Sequence, residues 1–517
     1  MASTSTTGEC DKSFSSSYLQ LRPEKLGLLD LLALLLSSNL NRRKFVESSE
    51  ETEERFERRW IIFISIVVQK LLLAVARPLS WFGSLIELWL NLVRINGGGL
   101  SALLFNLVRG KVVLPETTSA DFVSIIGNVD LRLDLDETIP PEDQGYYYTQ
   151  LSMMSAKAAY ENEAYLKSAV TDHWKMEFLG FFNFWNGKAS AETIIYRASQ
   201  KTPQKQVPTL HCSDLPARQY QEKANTQAFI LRDGDKIVLA FRGTEPFNSD
   251  DWCSDFDISW YEIPGMGTVH GGFMKALGLQ KSLGWPKELP KADHDGDGSP
   301  RPPTAYYFLR KRLKDLLLQG GDGRAKKFIV TGHSLGGALA VLFPAVLGLH
   351  GEKELLERLE GVYTYGQPRV GDPEFREFMQ KITREHKIGY YRFVYCNDMV
   401  PRLPFDNSTF HFEHFGRCHY YDSLYDEQIV DEVPNKNYFT LKGVVPMMVN
   451  AMYELWRSFT IVACKGPEYR ESLAMTMLRV VGLAMPGLPA HCPMDYNNSI
   501  RLGRAAYRAS KEIDKDL

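Results

Sequence analysis

The sequence predicts an α/β fold, with a mainly parallel central sheet and helices on both of its faces. Three observations predict it. From about residue 144 onward, short β-branched runs alternate with helical stretches, and that alternation builds parallel sheets covered by helices. One such run enters a glycine-rich turn that opens a long apolar helix. The 517 residues, 44% hydrophobic and 24% charged, have an ordinary globular balance and enough chain for a sizeable core. A wholly disordered, collagenous or coiled-coil chain is excluded. The net charge is −3, from 60 basic and 63 acidic residues, so no global positive field argues for nucleic acid.

The elements follow in order. Residues 1–59 form a variable region, Ser/Thr-rich at first, with a leucine-rich stretch over 26–40 and a charged block over 42–59. Its start carries Glu9 and Asp11 and lacks the basic, then apolar, pattern of a secretory signal. Seven scattered cysteines without a CxxC spacing read as reduced thiols of an intracellular protein. Residues 60–110 read as an apolar helical anchor for lipid or membrane. The run over 60–76 carries Gln69 and Lys70, Arg77-Pro78 follows, and a second run covers 79–93. A spanning helix needs about 20 apolar residues, and a mid-run lysine costs roughly 3 kcal/mol at the bilayer centre. Proline breaks helices. The expectation is two helices meeting at Pro78, as a hairpin or lying in the interface, with a transmembrane span left open. This unit should be separable from catalysis.

Residues 111–143 read as a linker, and 144–517 as the catalytic domain. Helical spacing covers 146–174. Strands are expected at 228–231, 236–241, 327–331, 361–365 and 390–395, with helices at 335–349 and 373–382. Residues 410–421 also read as a strand. Residues 287–303 form a flexible loop, where Asp293-x-Asp295-x-Asp297-Gly298 imitates a calcium loop. Thr304 stands where that loop needs a glutamate, so no metal site is expected. An insert occupies 425–485.

The chemistry centres on Gly332-His333-Ser334-Leu335-Gly336. Strand, G-x-S-x-G and helix in succession make a nucleophile elbow, in which Ser334 is thrust out at the top of the sheet. The new helix aims the Leu335 N–H at a developing oxyanion. The acid should close a later strand, and Asp398 follows the strand at 390–395; Asp372 and Asp422 are weaker rivals, with turn capping suiting Asp372 better. Four histidines follow, His411, His414, His419 and His491. Position in a loop near the chain end favours His491 as the base, though composition alone does not decide. Thr244, in the turn after 236–241, is the candidate second oxyanion donor. The stretch behind it, with Phe247, Trp252 and Phe256, has the character of a lid.

Phe241-Arg242-Gly243-Thr244, Val269-His270-Gly271-Gly272-Phe273, the elbow, Tyr365-Gly366-Gln367-Pro368-Arg369 and Asn397-Asp398-Met399-Val400-Pro401 together resemble class 3 triacylglycerol lipases. With the N-terminal apolar region and the insert, the chain looks like plant oil-body lipases. The resemblance implies an α/β-hydrolase fold and Ser334 as nucleophile. It also implies Asp398 as acid, Thr244 and Leu335 as oxyanion donors, and His491 as the family's C-terminal histidine. It further implies hydrolysis of tri-, di- and monoacylglycerols at the cytosolic face of a lipid droplet, without metal or organic cofactor. Phospholipase or galactolipase activity, and a non-enzymatic scaffold, are the alternatives. Residues 444–462 of the insert are expected to line the acyl pocket, touch lipid or cover the core.

Overall fold

The computed structural model describes residues 17–21, 46–48, 56–137, 143–185, 225–279, 304–318, 326–404, 411–438 and 441–513. The leucine-rich stretch at 26–40 and the calcium-loop-like segment lie outside them. Among the described residues, the strands in chain order are β1 (Tyr18–Leu21), β2 (Val46–Ser48), β3 (Glu177–Trp185), β4 (Asn225–Asp233), β5 (Lys236–Phe241), β6 (Trp260–Ile263), β7 (Gly267–His270), β8 (Lys327–His333), β9 (Leu359–Tyr365), β10 (Gly389–Tyr395), β11 (Cys418–Tyr421) and β12 (Glu427–Val430). The main sheet has the order β12-β11-β10-β9-β8-β5-β4-β3. Its centre, β5-β8-β9-β10-β11, is parallel; β12, β4 and β3 are antiparallel. The fold class and all five expected strands from 228 to 395 stand.

Two outcomes differ from expectation. Of the segment at 410–421, residue 410 lies outside the described residues, Glu413 makes an isolated bridge to Gly371, and the regular strand is confined to the end, in β11. A second sheet, β2-β1-β6-β7, was not legible, because β1 and β2 lie more than 200 residues from the β6 they complete.

The sheet's two faces carry two apolar clusters. One holds the elbow helix (Leu335–Leu349), buried from Leu335 to Leu347. A helix apolar all round, as here, belongs in a core rather than on a surface. The helix Gln144–Ala158 covers the other face.

The apolar N-terminal runs are not two helices. They form one continuous helix, Phe56–Ile95, that passes through Pro78. Proline forfeits the bond to the carbonyl four residues back. Ala74 and Pro78 are both exposed, so water or a polar interface can satisfy the freed carbonyl. Packing along the rest of the helix offsets the loss. By length and composition, 62–95 is long and apolar enough to cross a membrane.

The expected linker is docked rather than free. Asn91, buried on the long helix, donates to the Val123 carbonyl at 2.8 Å and accepts the Val123 N–H at 2.9 Å. Asn96 holds Val113 in the same two-way manner. These contacts bring Ile125 and Ile126 back over the catalytic domain.

Candidate active site

Ser334 sits between β8 and the elbow helix with φ 58° and ψ −130°, a left-handed conformation that costs a non-glycine residue energy. Glycine makes the turn sterically possible. A Cβ on Gly332 would lie 2.1 Å from the Gly336 carbonyl oxygen, and one on Gly336 would lie 2.3 Å from that of Phe241. The second approach seats the turn after β5 against the helix N-terminus. There Thr244 lines the same cavity as Ser334, and Leu335 is the first helical residue, whose N–H no helical carbonyl can take.

Of the four histidines, only His491 reaches the serine. It closes a short turn, Pro489–His491, with Nε2 2.8 Å from Ser334 Oγ. Its Nδ1 is 2.8 and 3.0 Å from the two Asp398 carboxylate oxygens. A carboxylate can only accept here, so Nδ1 carries the proton and Nε2 is free to accept from the serine hydroxyl. Asp398 is fully buried and takes further hydrogen bonds from the Val400 N–H at 2.9 Å and from the Tyr496 hydroxyl. Burial, reinforced by Asp398, raises the Tyr496 pKa well above the usual phenol value, so Tyr496 stays a donor. Gly366 permits the assembly, since a Cβ there would meet Asp398 at 2.9 Å and His491 at 3.0 Å.

The rivals have other work. Asp372 caps the helix Pro373–Glu385 by accepting the Phe375 N–H at 2.9 Å. Asp422 accepts the Leu424 N–H in a turn. His414 is buried with Nε2 2.8 Å from the Pro401 carbonyl, His419 pairs with Glu427, and His411 is exposed.

His333, Tyr160 and Tyr496 carry no role in the sequence reading. His333 Nε2 lies 2.8 Å from the backbone carbonyl of His491, and its Nδ1 lies 2.9 Å from the Tyr160 hydroxyl. The carbonyl needs a donor, so Nε2 bears the proton and Tyr160 donates to Nδ1. Burial, then the nearby His491, holds the His333 pKa well below the ordinary value, which keeps this neutral tautomer. His333 thus pins the loop that carries His491. Tyr496 lies five residues past His491, in the segment His491-Cys492-Pro493-Met494-Asp495-Tyr496, so proximity to the candidate base was a signal for it; Tyr160 had none.

The C-terminal helix Pro493–Ile513 is tied down by a buried charge cluster. Arg479 reaches Glu454, Glu471 and Asp495 at 2.9 to 3.0 Å, and Arg457 reaches Asp495 at 3.2 Å. Asp495 lies four residues after His491, so the insert helices Leu441–Lys465 and Leu473–Gly482 brace the segment that carries His491.

Above Ser334 and His491 lies an apolar cavity of about 630 Å³, within the usual range of roughly 300–1,000 Å³ for ligand pockets. Phe247 and Trp252, two of the three expected lid residues, line it. Phe256 does not: it closes the short helix Ser249–Phe256 and stacks on Trp252, while its carbonyl accepts from Ser65 of the long helix. From the insert the walls come from Leu473, Met477 and Val481 rather than from 444–462. Val445, Trp456 and Phe459 of that stretch are exposed.

Parallel sheet, elbow and hydrogen-bonded Ser-His-Asp chain define a serine hydrolase of the α/β-hydrolase class. A model of the lipase (class 3) family matches residues 238–408. Three plant proteins named triacylglycerol lipase OBL1 match over most of their length. The one from Nicotiana tabacum is 41% identical, covering 87% of this chain and 84% of its own. That from Arabidopsis thaliana is 37% identical, covering 94% and 95%, and that from Ricinus communis 34%, covering 96% and 97%. The chain belongs to the class 3 lipase family, alongside these plant proteins.

Proposed function

We propose that this protein is a triacylglycerol lipase that works at a lipid–water surface, with Ser334, His491 and Asp398 as its triad. The observation that carries this reading is the unbroken hydrogen-bond chain from Asp398 through His491 to Ser334, ending at the floor of an apolar cavity. Ser334 Oγ attacks the ester carbonyl carbon while its proton passes to His491 Nε2. Asp398 holds the imidazolium that results. The carbonyl oxygen, now an anion, is held by the N–H groups of Thr244 and Leu335; one such donor contributes about 2.7–4 kcal/mol. The bond to the glycerol oxygen breaks as His491 returns the proton to that oxygen. Water, deprotonated by the same histidine, then attacks the acyl-serine and releases the fatty acid.

The names of the three relatives support an acylglycerol substrate. Attachment to a droplet surface is supported by the exposed apolar side chains of the long helix, Trp60, Trp81 and Trp89 among them. The test is fatty-acid release from emulsified triolein and from phosphatidylcholine vesicles by the protein and by Ser334→Ala. Release from triolein that disappears in Ser334→Ala is the expected result. Release mainly from vesicles would replace the triacylglycerol substrate with a polar lipid. Turnover retained in Ser334→Ala would overturn the triad.

A further inference from the structure

We infer that Ile86 and Leu90 of the long N-terminal helix contact the acyl chain of the substrate, so that the segment with the character of an anchor is also a wall of the substrate site. This rests on the hydrolase reading above and adds residues far from the family match at 238–408. Ile86 and Leu90 line the same cavity as Ser334 and His491. They are one turn apart on one helix face, and Phe82, a turn earlier, continues that face onto Phe247 with ring centroids 6.0 Å apart. Gly83 sets the distance between the helix and the stretch behind Thr244: a Cβ there would lie 2.5 Å from the Phe247 Cβ. The helix therefore meets the stretch that begins at Thr244 with no space to spare.

The opposite wall is Leu473, Met477 and Val481. All three are substantially exposed, at 73%, 58% and 51%, so the cavity opens between two apolar helices. On the long helix, Trp81, Leu85 and Trp89 are exposed one residue round from the cavity-facing set. An acyl chain passing from a lipid phase to Ser334 stays on apolar surface throughout. Its tail lies against Ile86 and Leu90, and the length it can insert is set by their bulk.

The experiment uses the full chain. Ile86→Trp and Leu90→Trp fill the wall, and kcat/KM is measured for p-nitrophenyl palmitate and p-nitrophenyl butyrate. The palmitate-to-butyrate ratio should fall by about tenfold or more. Leu88→Trp, on the exposed side of the same helix, should leave the ratio unchanged. Ile86→Ala and Leu90→Ala open the wall instead and must also shift the ratio, which covers a tryptophan variant that fails to fold. A readout without turnover is the binding of cis-parinaric acid to Ser334→Ala protein, which the tryptophan variants should weaken. Unchanged ratios in both pairs, with unchanged fatty-acid binding, would overturn the inference. A parent protein that binds fatty acid in a tryptophan-sensitive way yet hydrolyses neither ester would keep this wall and remove the hydrolase reading.

Discussion

At the scale of single residues, the three side chains that the structure joins by hydrogen bonds, Ser334, His491 and Asp398, stand in surroundings that a sequence can show: a serine between glycines, an acid at a strand end, a histidine in a late loop. What surrounds it was not legible. Tyr160, His333 and Tyr496 act through contacts that span 98 to 173 residues of chain, and no local pattern announces those partners. Tyr496→Phe removes one donor from a fully buried carboxylate. Hydrogen bonds to charged groups contribute about 1.5–3 kcal/mol, so kcat/KM should fall roughly tenfold or more, with the KM little changed; an unaltered kcat would remove Tyr496 from the positioning of Asp398. A second prediction concerns His270, stacked on Phe273 at 4.1 Å with neither ring nitrogen hydrogen-bonded. Burial lowers its pKa from 6.5 to about 4, against the opposing pull of Asp257. Unfolded histidine takes up a proton in this window while the folded one does not, so stability falls as pH drops from 6.5 toward 4. The ceiling on this loss is about 3 kcal/mol. His270→Phe should therefore lose less thermal stability than the parent between pH 7.5 and 5; melting curves with the same pH slope would refute it.

At the scale of elements, strands and helices of the catalytic centre were legible because periodicity and turn chemistry repeat the same message there. The errors fell where tertiary packing overrides a local rule. Pro78 is a helix breaker by its own chemistry, yet the helix continues, because its interior bond is lost on an exposed stretch while the helix is buried on either side, at Gln69 and Gly83. The insert helices hold the buried cluster of Arg457, Arg479, Glu454, Glu471 and Asp495, which sequence shows only as scattered charges. Breaking a buried pair from one side costs about 3–5 kcal/mol. Arg479→Leu leaves three carboxylates facing one arginine, and should lower the denaturation midpoint sharply. Because Asp495 is anchored there, ester hydrolysis should fall even at temperatures where the variant stays folded. Full activity in a folded Arg479→Leu protein would uncouple the insert from His491.

At the scale of the whole molecule, the sequence divides the chain into an anchor and an enzyme, and the structure does not respect that division. The long helix packs on the helix Ser249–Phe256, donates Ser65 to Phe256, and walls the cavity. Deleting residues 60–93 should therefore abolish hydrolysis of even soluble short-chain esters, contrary to what separate units would give. A truncated protein with normal p-nitrophenyl butyrate turnover would restore the two-unit picture. Surface attachment is tested more gently: Trp81→Glu/Trp89→Glu should reduce co-flotation of the protein with triolein emulsions, and undiminished flotation would place the contact elsewhere, with Val445, Trp456 and Phe459 the next candidates.

The helix with two faces also bears on how such a chain can change over generations. Mutations on its outer stripe answer only to what that exposed surface meets, but those at 86 and 90 are judged a second time, by the acyl chain that must fit beneath them. A change of cellular address and a change of diet are then written on alternate sides of the same forty residues, and neither can wander far without the other being felt.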